Sequence, residues 1–207
     1  MLYYGNPSTP EIRAAMSAGT IGCVLTPGQG NLLPDGAPWC ADNGCFGGGF
    51  RGYAEWWKWL ASHRLDAATC AFAVAPDVPF DYGLTRLRSA EWLSRIRGLG
   101  FPAAFCLQDG VTMDAELPWD QFDVLFIAGS MPFKSSVAAA DFTRQAAERG
   151  KPVHWGRCNS LKRIKQAHGM GCASADGGYL RHGPDINLGR LLGWLAELER
   201  NGAQVFI

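Results

Sequence analysis

The sequence predicts a compact (β/α)8 barrel, one closed parallel sheet ringed by helices in a single domain. Three observations predict it. Short apolar runs alternate with segments of helical periodicity, the pattern of a parallel sheet. Eight such runs occur, the number that closes a barrel of this kind. Polar residues and glycines follow one run after another, at the strand ends where such barrels carry their sites. At 207 residues the chain is near the lower limit for the fold. An open doubly wound sheet is the alternative. No Gly-x-Gly-x-x-Gly follows the first strand, which weakens a dinucleotide-binding reading.

The elements follow in order. A weak opening strand, Leu2–Tyr4, precedes a helix at Thr9–Ala18 that starts at Thr9-Pro10-Glu11. Strand Ile21–Thr26 leads into a connection, Pro27–Pro38, without helical periodicity. Trp39–Asn43 is the third strand. Gly47-Gly48-Gly49 follows it but lacks the Lys-Ser/Thr ending of a phosphate-binding loop. In helix Tyr53–Ser62, Trp56, Trp57 and Trp59 read mainly as packing groups. Strand Cys70–Ala75 and helix Leu84–Leu99 come next, with Gly100 as a stop. Strands Ala103–Gln108 and Val124–Ala128 are separated by Asp114–Gln121, at most a short helix. Helix Ser136–Arg149 stops at Gly150 before strand Val153–Gly156. Helix Ser160–His168, strand Cys172–Ala175 and helix Leu188–Asn201, begun at Asp185-Ile186-Asn187, complete the set.

Composition narrows the function. Hydrophobic residues make up 47% of the chain, enough for a substantial core. No apolar run approaches a membrane span, and the start lacks the basic-then-apolar pattern of a signal peptide. A cytoplasmic protein without membrane contact is expected. Formal net charge is +0, so nucleic-acid binding requires a local basic patch. The seven cysteines lie mostly in apolar runs, with no Cys-x-x-Cys, and Cys40 and Cys45 have no matching pair nearby. Reduced, buried thiols fit better than a zinc site or disulfides. Neither a metal nor a cofactor is expected.

The strand tips carry the candidate chemistry. They read Asp42-Asn43-Gly44, Pro76-Asp77, Gln108-Asp109-Gly110, Ala128-Gly129-Ser130, Gly156-Arg157 and Asp176-Gly177-Gly178. Turn preference explains part of this. Six tips on one side point to a site. Carboxylates accept N–H donors, Gln offers both donor and acceptor, and glycines expose backbone amides, an inventory suited to a polar heterocycle. Phe46, Phe50, Tyr82, Met131 and Phe133 follow the tips. Each aromatic one is either core or a surface for a flat ring. Two or more carboxylates allow one nucleophile and one acid/base. His154, with apolar neighbours, reads as a core histidine. Lys162, Arg163 and Lys165 form a solvated helix face, or grip phosphates together with Lys134, Arg157, Arg181 and His182. Arg51, Arg86 and Arg88 extend such a patch.

These tips, in this order, resemble the queuine/archaeosine tRNA-guanine transglycosylase superfamily, and more closely its short, phage-type DNA 7-deazaguanine transglycosylase branch. Ala41-Asp42-Asn43-Gly44-Cys45-Phe46 resembles the Asp-Ser-Gly-Gly-Phe motif of the superfamily. Asp77 matches a base-recognising Asp, Gln108-Asp109-Gly110 its Gln-Gly-Gly element, and Gly129-Ser130 a later glycine. His154 to Gly178 resembles the family's Gly-rich strand, helix and final Asp strand. The likeness runs from about Gly22 to Gly178.

The resemblance implies roles. Asp176 is the nucleophile that attacks C1′, and Asp42 assists as general acid/base. Asn43, Asp77, Gln108, Gly129, Ser130, Gly156 and Arg157 line the substrate site, with Asp77, Gln108 and the Gly129 backbone reading the base edge. Lys134, Lys162, Arg163 and Arg181 contact nucleic acid. The partners implied are DNA and a free 7-deazaguanine base such as preQ0, and for a phage-encoded enzyme the location is the host cytoplasm. A homodimer stays open. The tRNA enzymes carry Cys-x-Cys-x-x-Cys…His after the nucleophile, and nothing like it follows Asp176. A barrel without a zinc subdomain, acting on DNA rather than tRNA, is therefore expected. Asn43 and Cys45 depart from the family motif beside the base. A carboxylate-dependent nucleoside or glycoside hydrolase, a tRNA-guanine transglycosylase and a catalytically silent DNA-binding barrel are the other readings.

Overall fold

The structure, a computed structural model, describes residues 1–203, with side chains through residue 200. Eight strands form a closed parallel barrel: β1 (Leu2–Gly5), β2 (Gly22–Leu25), β3 (Trp39–Ala41), β4 (Cys70–Val74), β5 (Ala103–Leu107), β6 (Val124–Ile127), β7 (Val153–Trp155) and β8 (Ser174–Asp176). Each pairs with the next, and β8 closes on β1 with Leu2 opposite Ser174 and Tyr4 opposite Asp176. The open-sheet alternative is thereby excluded.

Among the described residues, seven α-helices surround the barrel: α1 (Pro10–Ser17), α2 (Tyr53–Ser62), α3 (Tyr82–Gly98), α4 (Met131–Lys134), α5 (Val137–Glu148), α6 (Leu161–Gly169) and α7 (Pro184–Ala203). The Pro27–Pro38 connection has no helix, as its sequence predicts. Within 114–121 only a 3-10 turn forms, at Trp119–Gln121. Helix α3 starts two residues earlier than the periodicity suggests, because the Asp81 carboxylate caps it by accepting the Leu84 N–H at 2.8 Å. Helix α7 likewise starts at Pro184, a favoured first helical residue. The single-turn α4 escapes the sequence reading because four residues are too few to show a period.

Side chains alternate across each strand. Inside the barrel lie Tyr4, Val24, Cys40, Phe72, Val74, Ala104, Cys106, Val124, Phe126 and Ala128. All have even numbers. The odd-numbered strand residues, among them Tyr3, Trp39, Phe105, Ile127 and Trp155, face outward and are covered by the helices. The same parity turns Asp42, Gln108, Gly156 and Asp176 inward at the top of the barrel. A one-residue slip would point them all at the helices. All seven cysteines are free and all but Cys45 are buried, in agreement with their reading as core residues. Among the described residues no helix is long and apolar enough to cross a membrane.

Candidate active site

A cavity of about 520 Å3 opens at the C-terminal mouth of the barrel. Val24, Val74, Cys106 and Phe126 form its apolar floor. Asp42, Asn43, Asp77, Gln108, Gly129, Gly156, Arg157 and Asp176 stand in its walls, with Lys134 and Arg181. The structure therefore brings most of the sequence-predicted residues to one place.

Asp176 ends β8, with its side chain 17% exposed. Its Oδ1 accepts the Arg157 N–H at 2.7 Å and faces His154 Nε2 at 3.5 Å. No donor among the described residues reaches Oδ2. Burial pushes this carboxyl up, but the His154 contact, the Arg157 N–H and the Lys134 charge outweigh it and hold Asp176 below the ordinary range. It is thus an anion with one oxygen tied and one free.

Asp42 has the opposite character. Burial pushes its carboxyl up to about 7, helped by repulsion from Asp176 and Asp77 and opposed by the Gly44 N–H bond. That bond, 2.6 Å to Oδ1, closes an Asx turn after β3. Two carboxyls in one cavity thus have their proton affinities driven apart. Such an arrangement can divide labour between a nucleophile and a proton donor.

Asp77 is 5% exposed, and each of its oxygens accepts one side-chain hydrogen bond. Asn43 Nδ2 donates to its Oδ1 at 2.9 Å, and Gln108 Nε2 donates to its Oδ2 at 2.5 Å. Asn43 also donates to the Ala75 carbonyl and accepts the Cys45 N–H. Gln108 Oε1 accepts the Phe80 N–H at 3.0 Å. Asn43 and Gln108 line the cavity, but their polar atoms are committed to holding Asp77 and the flanking loops. Burial raises the Asp77 carboxyl despite these bonds.

The β6 and β7 ends supply backbone. Gly129 has φ 75°, a left-handed conformation, and a Cβ there would lie 2.5 Å from Asp109 Oδ2. Its carbonyl accepts from the Arg157 guanidinium. At Gly156 a Cβ would lie 2.7 Å from the Phe126 ring, so this inward position stays open to the cavity only without a side chain. Ser130, expected at the substrate, does not line the cavity. Its N–H and hydroxyl bond to Asp109, and its Oγ caps α4 by accepting the Phe133 N–H.

Two aromatic rings frame the mouth. Phe46 and Phe80 meet edge to face at 5.9 Å, and the Arg157 guanidinium lies against both. Phe80 and Arg157 are the only non-glycine residues with positive φ among those described, at 68° and 62°. Backbone strain of this kind is concentrated where the surrounding structure fixes it. Of the other ring candidates, Tyr82 and Phe133 are buried in the outer core and Phe50 packs against that core. Met131 lines a neighbouring cleft.

The basic residues separate into two groups. Lys134 is not the surface phosphate contact that its sequence position suggests. It is 0% exposed, and its Nζ donates to the Gly156 carbonyl in the cavity wall. Burial, with repulsion from Arg157, brings its amine down to about 8 against the attraction of Asp176. The reason is α4, whose single turn rolls Lys134 inward. Lys162 and Arg163 line a second cleft beside the first, and Asn159 borders both. Arg181 is exposed at the rim of the main cavity.

The sequence reading undervalues His154 and misses Phe80, Asn159, Asn6 and Gln29, all but His154 and Phe80 in the cavity wall. A periodicity cue for His154 exists: it lies two residues before Gly156 and shares its inward face. Among the described residues, no group of His, Cys, Asp and Glu is arranged to hold a metal ion.

Fold and site together define a (β/α)8-barrel protein with a carboxylate-lined cavity at the C-terminal mouth. No family model and no curated protein matches the sequence. Among solved structures, a mandelate racemase/muconate lactonizing protein from Herpetosiphon aurantiacus is similar with 12% identity and a TM-score of 0.49, over 84% of this chain and 52% of that one. The chain spans about half the length of that structure.

Proposed function

We propose that the protein exchanges guanine in DNA for a 7-deazaguanine base through a covalent Asp176–deoxyribose intermediate. The observation that carries this reading is the pair of carboxyls with opposed proton affinities in one cavity. Oδ2 of Asp176 attacks C1′ as the bond from C1′ to the guanine nitrogen breaks, and Asp42 gives the leaving base a proton. The incoming base then returns a proton to Asp42 and attacks C1′, and the Asp176 C–O bond breaks. Asp77, each of whose oxygens accepts one side-chain hydrogen bond, keeps lone pairs for the N–H groups of a purine-like base, and the Phe46 ring offers it a face. A base in duplex DNA reaches such a cavity flipped out of the stack. The barrel mouth between Arg181 and the Lys162–Arg163 cleft is the path proposed for the phosphates. The reading does not depend on a metal or cofactor.

The test is release of labelled guanine from DNA, followed by mass spectrometry of the nucleosides formed with candidate deazapurines. Asp176→Ala is expected to abolish release. Undiminished exchange by this variant overturns the assignment. A second reading, hydrolysis of a free nucleoside by the same acids, is favoured by the size of the cavity, about 520 Å3, which has room for a single nucleoside. It predicts ribose or deoxyribose release from free nucleosides and indifference to DNA.

A further inference from the structure

Beneath the cavity, inside the barrel, His154 is 0% exposed. Its ring lies against Phe126, Phe72 and Tyr4, with centroids 4.6, 4.8 and 5.9 Å away. It has two polar neighbours, both on β8 and both turned inward. Ser174 Oγ is 2.8 Å from Nδ1, and Asp176 Oδ1 is 3.5 Å from Nε2. The register explains this bracket: His154 stands opposite Ser174, and Asp176 follows on the same face two residues later. Nε2 has no hydrogen-bond partner within ordinary range, so a buried N–H there has only the Asp176 carboxylate to address.

Resting on the covalent reading above, we propose that His154 is a positioning residue that holds Oδ1 of Asp176, so that Oδ2 is the oxygen presented to the sugar. Ser174 sets the tautomer. When its hydroxyl donates to Nδ1, the ring proton sits on Nε2 and points at Asp176. The aromatic cage keeps water from competing and keeps the ring from turning. His154 is absent from the cavity wall, so it acts through Asp176 rather than on a bound molecule. The contact works in both half-reactions. It favours the anion before attack, and it favours the same anion as a leaving group when the incoming base takes the sugar.

The neighbours of both groups bear on the test. Asp176 is also faced by the Arg157 backbone and Lys134, which favour its anion, and by Asp42, Tyr3, Cys40 and Cys158. His154 is faced by Asp176 and Ser174 from β8, Tyr4 from β1, and the uncharged rings of Phe72 and Phe126 from β4 and β6. Among the described side chains that lower the Asp176 carboxyl, His154 acts before Lys134, and its Nε2 faces Oδ1 at 3.5 Å.

His154→Phe keeps a ring in the cage and removes the donor, while His154→Gln restores an N–H. For His154→Phe we expect kcat of base exchange to fall about 10²-fold, with KM for the incoming base within about twofold. The acid limb of kcat should move to higher pH, and His154→Gln should recover most of both losses. Titration of Asp176 by carbon NMR of labelled aspartate reads the same contact without any substrate. It should show the carboxyl titrating at higher pH in His154→Phe. An unmoved Asp176 titration in both folded variants overturns the proposal whatever the activity. A moved titration in a protein that exchanges no base upholds the contact and overturns the exchange reading instead.

Discussion

The Arg157 guanidinium lies 3.9 Å above the centroid of the Phe46 ring, while its own N–H bonds to Asp176. One residue thus ties the aromatic mouth to the anionic carboxylate. Phe46 is 55% exposed, so its ring contributes little to the core. Phe46→Ala is expected to raise KM for the base about tenfold, the loss of roughly 1–1.5 kcal/mol of stacking. Its thermal midpoint should stay within about 2 °C of the parent. Steady-state kinetics and a melting curve check both.

Asp42 sets a pH dependence with a defined sign. Its carboxyl is raised from 3.8 to about 7, so the folded state binds this proton more tightly than the unfolded chain. The resulting stability is fully present below 3.8 and is lost as pH rises towards 7. Asp42→Asn removes the repulsion, so the variant should melt higher than the parent at pH 8 and alike at pH 4. About 1 kcal/mol corresponds to roughly 2–4 °C in a domain of this size. The same variant should lose the alkaline limb of activity near pH 7, where the parent's acid gives up its proton.

Asn43 has a structural burden that its place in the cavity conceals. Asn43→Ala removes one of two side-chain donors to the buried Asp77 and frees the Ala75 carbonyl and Cys45 N–H. The expected cost is about 1–3 kcal/mol, measurable by urea unfolding at neutral pH. Asp77→Asn in the same background should return part of it, since the amide no longer carries a buried charge.

Lys134 and the rim cations should differ in salt dependence. Lys162→Ala and Arg181→Ala are each expected to reduce the slope of log affinity for DNA against log salt by roughly 1. Lys134→Met should leave that slope unchanged, because the amine is enclosed in the wall. Filter binding over a salt series measures the three together.

Gly156 is a steric requirement. Gly156→Ala places a methyl group 2.7 Å from the Phe126 ring, in the floor of the cavity. The expected outcome is a loss of about 1–3 kcal/mol and reduced activity. Chemical denaturation and the exchange assay check it.

The barrel and much of the cavity were legible because both rest on local patterns. Alternation along each strand sets which residues point inward, and a polar residue at the next inward position announces the site. Asp42, Gln108 and Asp176 were read as strand tips, and in the barrel they occupy that inward position. His154 did not, since its meaning depends on the register between β7 and β8, which no single strand displays. Lys134 was misplaced because a four-residue helix turned it inward. Phe80 escaped because its position depends on a left-handed backbone conformation that aromatic residues rarely adopt. Asn43 and Gln108 were legible as cavity residues. Their commitment to Asp77 required the neighbouring strands.

The even-numbered aromatic layer has a consequence for traffic. Among the described residues, Tyr4, Phe72 and Phe126 fill the barrel interior, and the cavity lies at its C-terminal mouth. Whatever reacts at Asp176 arrives and departs through the doorway beside Phe46 and Phe80. On the proposed exchange, the departing base must clear that doorway before its replacement enters, and the two take turns. The kinetic signature is a family of parallel double-reciprocal lines.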